Sequence, residues 1–357
     1  MKLEKEAKVG GGHKRQHLSG TVRWPAMFGC FVALVLLAAL GLPNGIRALG
    51  SANGFHRQEG PAQPSYEDTT THHIQTVFVI MMENHNWTGD VDNQNIKGNA
   101  SAPYINNTLL PMSSYAGNYS NPPGNHPSQP NYLWLEAGTN FGVLQDTQPG
   151  QPQLNTDQHL VKLLENARIS WKAYVENLSG KDCPLDFSEA DVEHIPFVYF
   201  NDINDGLNPQ SAECIAHVRP FTELGGDLKT NSVARYNFIV PNVCDDMHNV
   251  CSPAGQIAQG DTWLSTYVPQ IMSSFAYQNG GAIFIIWDEG DDAFIVSDGP
   301  VGMIVVSPFA KGGGYTDQAL YTHGSTLRTL QEIFGVKPFL RDAARAQDLS
   351  DLFSQFP

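Results

Sequence analysis

Residues 77–87 read VFVIMMENHNW, in which the apolar run Val77–Met82 leads directly into polar side chains. Three further apolar runs are Tyr236–Val240 (YNFIV), Ala282–Trp287 (AIFIIW) and Met303–Val306 (MIVV). All four are continuous rather than alternating, and β-branched residues are frequent in them. This pattern predicts strands that are buried on both faces of a largely parallel sheet.

Helical patterns lie between these runs, at residues 159–168, 262–278 and 325–334, and a further helix is predicted over Tyr132–Ala137. Asp261 precedes the second pattern and is predicted to cap its start. Alternating strands and helices are typical of an α/β fold in which helices flank the central sheet. We therefore predict an α/β protein with a largely parallel central sheet.

The first fifty residues do not read as part of this fold. A basic segment precedes Ala26–Leu42, an uncharged run of 17 residues, and small residues follow at 48–50. This arrangement predicts a cleaved export signal or an N-terminal membrane anchor, and export of the rest of the chain in either case. Residues 51–75 are polar and predict a flexible lead-in, and residues 76–357 predict a single domain.

The cysteines are consistent with an oxidising compartment. Apart from Cys30 in the apolar run there are four, an even number that allows three pairings. We favour Cys244–Cys251 as a short clamp and Cys183–Cys214 as a larger loop. No CxxC spacing is present, so a zinc site built from thiols is not expected.

The net charge excludes one class of partner. The chain has 21 basic and 36 acidic residues, a formal net charge of −15. Without the first fifty residues, 14 basic and 34 acidic residues remain, a net charge of −20. Such a body repels nucleic acid and anionic membranes at long range. We expect no nucleic-acid partner, and membrane contact only through the N-terminal anchor or a lipid substrate.

Polar clusters follow each of the four predicted strands. Glu83-Asn84 follows the first strand, Asp245-Asp246-Met247-His248 the second and Asp288-Glu289 the third, and the fourth leads on to His323. Ligands of open α/β sheets bind outside the carboxyl ends of the strands. We therefore expect the four strands to bring these side chains to one edge of the sheet.

The residue types in these clusters predict a metal site. Glu83, Asn84, Asp288 and Glu289 offer oxygen ligands suited to Ca²⁺, Mg²⁺ or Mn²⁺ and tolerable to Zn²⁺ or Fe. Several carboxylates that face one point repel each other unless a cation neutralises them. The imidazoles that accompany them could bind an anion, serve as a general acid or complete a second metal site.

The candidate nucleophile is Ser128, within the sequence HPSQPNYL at residues 126–133. A serine just ahead of a helix lies at the positive end of the helix dipole, where a phosphoryl group is favoured. Metal coordination would activate its hydroxyl. The alternative is that Ser128 only caps the helix, which any serine at such a position can do.

The motifs ENHNW, HPSQPNYL, PNVCDDMH, IIWDEG and YTHGSTLRTL, in this order, resemble the bacterial and fungal phosphoesterase family. That family contains acid phosphatases, phosphatidylinositol-3-phosphatase and phospholipases C, and it belongs to the alkaline-phosphatase-like superfamily. The resemblance covers about residues 74–340. It implies a three-layer α/β fold.

The resemblance also implies roles for individual residues. Ser128 would be the nucleophile and would form a phosphoseryl intermediate. One divalent metal ion would be bound at Glu83, Asn84, Asp288 and Glu289. His126, His248 and His323 would bind phosphate or protonate the leaving group, and Asp246 would brace His248.

The predicted function is an exported, metal-dependent acid phosphomonoesterase that acts on small-molecule or lipid phosphate esters as a monomer. A phospholipase C-type phosphodiesterase is the alternative. The phospholipases C of the family carry extra C-terminal β-domains, for which Phe339–Pro357 leaves no room. A catalytically silent exported binding protein is a third possibility, against which the retained Ser128 and metal-ligand set argue.

Overall fold

Residues 72–89, 94–188, 190–290 and 299–357 are described by the computed structural model. They all belong to one compact unit, Glu67–Pro357. The predicted export signal or anchor and most of the predicted lead-in lie outside the described residues. Among the helices that are described, none is both long and apolar enough to cross a membrane.

The strands match the apolar runs closely. Numbered along the chain, they are β1 Thr76–Met82, β2 Ser114–Ala116, β3 Tyr119–Ser120, β4 Trp171–Val175, β5 Val218–Pro220, β6 Tyr236–Val240, β7 Gly281–Trp287, β8 Met303–Val306, β9 Tyr315–Asp317 and β10 Tyr321–Thr322. The main sheet has the order β5-β4-β6-β1-β7-β8-β2-β9, and β3 pairs with β10. Every residue of β6, β7 and β8 is buried, which explains why these runs are apolar throughout.

The sheet is parallel except at β8. This strand is antiparallel to both of its neighbours, β7 and β2, whereas β4, β5, β6, β1 and β7 pair in parallel. The prediction of a largely parallel sheet in an α/β fold is confirmed. The expectation that all four strands end at one edge is wrong for β8, because a reversed strand ends at the opposite edge.

The helices cover the regions where helical periodicity was found. They are α1 Leu110–Met112, α2 Ser128–Ala137, α3 Leu160–Asn166, α4 Asn201–Asn204, α5 Ala212–His217, α6 Leu224–Thr230, α7 Gln256–Met272, α8 Phe275–Gln278 and α9 His323–Phe334. A π-helical turn lies at Ile105–Leu109, and 3₁₀ turns lie at Val192–His194, Pro196–Tyr199, Phe221–Glu223, Arg341–Ala344 and Ser350–Leu352.

The predicted role of Asp261 is wrong. The helix begins at Gln256, so Asp261 lies inside α7 rather than at its start. Its buried carboxylate accepts hydrogen bonds from the backbone N–H groups of Tyr104 (2.9 Å) and Ile105 (2.8 Å). The aspartate therefore caps a neighbouring helical segment instead of its own helix.

Both favoured disulfides are present. Cys183 is bonded to Cys214 and Cys244 to Cys251. The second bond closes the loop that carries Asp246 and His248. The first ties α5 to the segment after β4.

Candidate active site

Three buried carboxylates meet at the carboxyl ends of adjacent parallel strands. Glu83 directly follows β1 and Asp288 directly follows β7, and the last residues of these strands, Met82 and Trp287, are paired. Asp246 comes from the loop after β6, and its carbonyl accepts a hydrogen bond from Glu83 N at 2.8 Å. All three side chains are almost completely buried.

The charges of these carboxylates are poorly compensated within the described part of the chain. Burial, together with the charges of Asp288 and Asp246, raises the pKa of Glu83 well above its usual value. Burial and the charge of Asp288 raise the pKa of Asp246, and burial raises the pKa of Asp288 to about 6. A cation at this point would remove the repulsion.

A histidine that the sequence analysis did not find completes the cluster. His194 is buried on the 3₁₀ turn Val192–His194, with Nε2 3.5 Å from Glu83 Oε1 and Nδ1 3.9 Å from Asp246 Oδ2. Burial lowers its pKa to about 3, so the imidazole is neutral and offers a lone pair. His194 follows none of the apolar runs, which is why the pattern of strand ends missed it.

The donor set fits a divalent metal ion. Ligand atoms of Glu83, His194 and Asp246 lie within 4.8 Å of one another. Among the described residues, Asp246 Oδ2, His194 Nδ1 and Asp288 Oδ2 are buried without a hydrogen-bond partner. Buried polar atoms of this kind are costly unless they are paired or coordinate a metal.

Asn84 lies beside this cluster in a left-handed backbone conformation, with φ of 48°. Its backbone N–H donates to Asp288 Oδ1 at 3.2 Å. With the amide nitrogen turned toward the carboxylates, it lies 3.0 Å from Glu83 Oε2, and the amide oxygen lies 3.2 Å from His248 Nε2. The predicted ligand Asn84 thus links the buried carboxylates to a histidine at the surface.

Ser128 faces the same cluster. It is the first residue of α2, it is buried, and its Oγ–H donates to Glu83 Oε2 at 2.8 Å. The residue that precedes the helix is Pro127, which has no side-chain acceptor, and the first-turn N–H of Gln129 donates to Asp146 Oδ1 at 3.0 Å rather than to Ser128. The serine hydroxyl is therefore directed at a carboxylate rather than at the helix backbone.

Tyr132 fixes Glu83 from the other side. Its hydroxyl donates to Glu83 Oε1, and its ring stacks on that of His194 with centroids 4.9 Å apart. Tyr132 lies one turn after Ser128 on α2, so one helix presents two hydroxyl groups to one carboxylate.

Glu289, another predicted metal ligand, lies beside Asn131 and His126. Its Oε2 accepts a hydrogen bond from Asn131 Nδ2 at 2.8 Å and lies 2.8 Å from His126 Nδ1. Glu289 is not part of the group of ligand atoms formed by Glu83, His194 and Asp246. Glu289 instead holds His126, which is partly exposed at the entrance.

His323 reaches the site by a different route from the one expected. Because β8 runs away from this edge, the chain returns through β9 and β10 before α9 begins at His323. A capping box between Thr322 and Ser325 fixes the helix start. His323 Nε2–H donates to the Asp288 carbonyl at 2.6 Å and Nδ1 accepts from the Tyr119 hydroxyl at 2.9 Å.

This arrangement makes His323 a support for Asp288. Both of its ring nitrogens are engaged, and burial lowers its pKa to about 4. The imidazole is therefore neutral, and both of its nitrogens are bonded to protein groups.

His248 lies at the exposed side of the site. Its backbone N–H donates to Asp246 Oδ1 at 2.7 Å, and the disulfide Cys244–Cys251 closes the loop around it. The neighbouring Asp245 instead accepts hydrogen bonds from Asn242 and Gln259. Of the two adjacent aspartates, Asp246 is the one that lies in the cluster.

Two curated relatives are similar to this chain. It is 26% identical to the phosphatidylinositol-3-phosphatase of Mycobacterium tuberculosis, over 72% of this chain and 78% of the relative. It is 27% identical to the phosphate-repressible acid phosphatase of Penicillium chrysogenum, over 59% of this chain and 50% of the relative. The chain thus spans about half the length of this fungal enzyme.

Solved structures share the fold. The phosphonate monoester hydrolase of Agrobacterium radiobacter aligns with a TM-score of 0.51 at 11% identity, over 79% of this chain and 78% of the other. An alkaline phosphatase superfamily protein from Vibrio parahaemolyticus aligns with a TM-score of 0.50 at 9% identity, over 78% and 72%. Residues 118–337 match the Phosphoesterase family. This match covers more than half of the chain, which therefore belongs to the Phosphoesterase family and is a hydrolase of phosphate esters.

Proposed function

We propose that this chain is an exported, metal-dependent phosphomonoesterase of the acid phosphatase type with Ser128 as its nucleophile. The observation that carries the proposal is the hydrogen bond from Ser128 Oγ–H to Glu83 Oε2, 2.8 Å long, beside Asp246, His194 and Asp288. It places a hydroxyl, a proton acceptor and a candidate metal site at one point.

In the proposed first step, Ser128 Oγ attacks phosphorus while its proton passes to Glu83. Glu83 is the group positioned to take this proton, because its Oε2 already accepts the hydrogen bond from Ser128 Oγ–H. The new Oγ–P bond forms as the ester P–O bond breaks. Ser128 begins α2, so the helix dipole stabilises the negative phosphoryl group.

Glu83, Asp246, Asp288 and His194 would hold a divalent ion, with Asn84 beside them. When bound, the ion would supply positive charge that stabilises the serine alkoxide and the transferring phosphoryl group. Water then hydrolyses the phosphoserine and releases phosphate, which restores the hydroxyl of Ser128.

His126 and His248 are the proposed phosphate-binding or proton-donating groups at the entrance. Both reach the surface, His126 beside Glu289 and His248 beside Asn84. His323 is proposed as a positioning residue for Asp288, because both of its nitrogens are already bonded. Protonated imidazoles at the entrance would attract an anionic substrate to a strongly acidic protein, which fits an acidic pH optimum.

Export is part of the proposal. Two disulfides in the described residues are typical of an oxidising compartment. The basic and then apolar N-terminal sequence is typical of an export signal or anchor.

A phosphomonoester is the proposed substrate class. The similar proteins are named acid phosphatases and a phosphatidylinositol-3-phosphatase, and these names refer to phosphomonoesters. A lipid phosphate and a small soluble phosphate share the group that would meet Ser128. The phosphodiesterase alternative requires a second ester group to be accommodated at the same place.

The experiment compares hydrolysis of p-nitrophenyl phosphate and bis-p-nitrophenyl phosphate by wild type, Ser128→Ala and the exposed-surface control Ser273→Ala. We expect monoester turnover in wild type and Ser273→Ala, and none in Ser128→Ala. Acid quenching with radiolabelled substrate should trap a labelled protein only where Ser128 is present.

Four results would contradict parts of the proposal. Preference for the diester would favour a phosphodiesterase, and unchanged turnover in Ser128→Ala would exclude this nucleophile. A rate that rises steadily from about pH 5 to about pH 9 would refute the acid optimum. Absence of turnover with any divalent metal would favour a binding protein.

A further inference from the structure

A second group of metal-ligating side chains lies away from the candidate active site. Glu165 of α3 and Glu213 and His217 of α5 each place one ligand atom within 4.8 Å of the others. His217 directly precedes β5, and it contacts Trp171, the first residue of β4. The group therefore lies at the amino ends of the strands, whereas the candidate active site lies at their carboxyl ends.

The orientation of His217 is fixed from outside the group. Its Nδ1–H donates to the Trp171 carbonyl at 2.8 Å, and its ring stacks on the Trp171 indole with centroids 4.4 Å apart and an interplanar angle of 9°. Nε2 consequently faces the carboxylates, 3.0 Å from Glu213 Oε1. A backbone carbonyl on one imidazole nitrogen is the usual support of a histidine that binds metal through the other.

The carboxylate of Glu165 is also held in place. Its Oε1 accepts from Trp171 Nε1 at 3.1 Å, and its Oε2 accepts from Lys162 Nζ at 3.1 Å. Each carboxylate oxygen keeps a second lone pair for a further partner.

We propose that Glu165, Glu213 and His217 form a second divalent-metal site, suited to zinc, that ties α3 to α5. One imidazole nitrogen and two carboxylate oxygens are a donor set that Zn²⁺ accepts, and water would complete its coordination. Such a site is structural: it joins two helices, and α5 is already attached through Cys214 to Cys183. It does not depend on the proposed phosphatase mechanism.

The test measures zinc content after the full chain has been stripped with chelator and dialysed against zinc chloride. Wild type is compared with His217→Ala and with the control His73→Ala, another half-exposed histidine that packs against an aromatic ring, that of Phe309. The same pair of variants is made in an Asp288→Asn background, which weakens the candidate active site. Hydrolysis of p-nitrophenyl phosphate serves as the control for folding.

We expect His217→Ala to bind one equivalent of zinc less than wild type and His73→Ala in both backgrounds, with unchanged hydrolysis where Asp288 is intact; in the Asp288→Asn background an unchanged circular dichroism spectrum is the folding control. Zinc should also raise the melting temperature more in wild type than in His217→Ala. Equal zinc content in wild type and His217→Ala would overturn the proposal, as would an equal loss in His73→Ala. If His217→Ala does not fold, Glu213→Gln replaces it, and zinc content equal to that of wild type again refutes the site.

Discussion

The buried histidine His159 makes stability depend on pH in a way that can be measured. Its Nδ1 lies 3.0 Å from Glu136 Oε1 and its Nε2 lies 3.2 Å from Asp202 Oδ1, and its ring stacks on Phe200. Glu136 lies near the end of α2, the helix that begins at Ser128. The group therefore anchors the helix that carries the candidate nucleophile.

The magnitude follows from the pKa of His159. Burial alone lowers this pKa, but the hydrogen bonds and charges of Asp202 and Glu136 outweigh burial and raise it from 6.5 to about 9. At about 1.4 kcal/mol per pH unit, the protonated group contributes about 3 kcal/mol to folding stability. Because the folded pKa is the higher one, this contribution is complete below about pH 6.5 and is lost as the pH rises to about 9.

The assay is urea unfolding of wild type and His159→Gln at several pH values from about 6 to about 9. Groups elsewhere titrate equally in both proteins, so the difference between their free energies of unfolding isolates His159. We expect that difference to shrink by about 3 kcal/mol across this range. The control is His72→Gln, which changes a half-exposed histidine bonded to the Ile333 carbonyl. The difference between its free energy of unfolding and that of wild type should stay constant over this pH range. If the difference between the free energies of unfolding of wild type and His159→Gln stays constant with pH, His159 is not the source of the pH dependence.

Three further predictions concern the site and its support. Tyr132→Phe removes a hydrogen bond to the buried Glu83. We therefore expect kcat and metal affinity both to fall, each by the equivalent of about 1.5–3 kcal/mol, which kinetics and isothermal titration measure. Tyr199→Phe, which loses a bond to a backbone carbonyl, should leave both unchanged. Removal of divalent metal by a chelator should abolish phosphate release and lower the melting temperature, and added metal should restore both; full activity of metal-free protein would contradict the proposed site. Asp261→Ala leaves the backbone N–H groups of residues 104–105 without their acceptor. The free energy of unfolding in urea should therefore fall by about 2 kcal/mol, and by less in Asp261→Asn. Equal stability of the two variants would count against this capping role.

The apolar runs are enough to locate the strands and the carboxylates that follow them. A continuous apolar run marks a strand buried on both faces, so β1, β6, β7 and β8 were found almost to the residue. Polar residues that follow such a run leave the sheet at its edge, directly after the strand for Glu83 and Asp288 and within the following loop for Asp246, which brings the three together. The disulfide pairing was also found, because the short loop between Cys244 and Cys251 favours their bonding and leaves Cys183 for Cys214.

Which side chains share the centre of the site depends on contacts between segments that are distant in sequence. His194 lies on the 3₁₀ turn Val192–His194, and its position depends on packing against Tyr132 rather than on any neighbouring sequence pattern. The direction of β8 is set by hydrogen bonds to β7 and β2, which are distant in sequence. The roles of Glu289 and His323 depend on the atoms that they meet, namely His126 and Asn131 for the first and Tyr119 and the Asp288 carbonyl for the second. The local pattern specifies where a polar residue leaves its strand, but contacts between distant segments determine its partner.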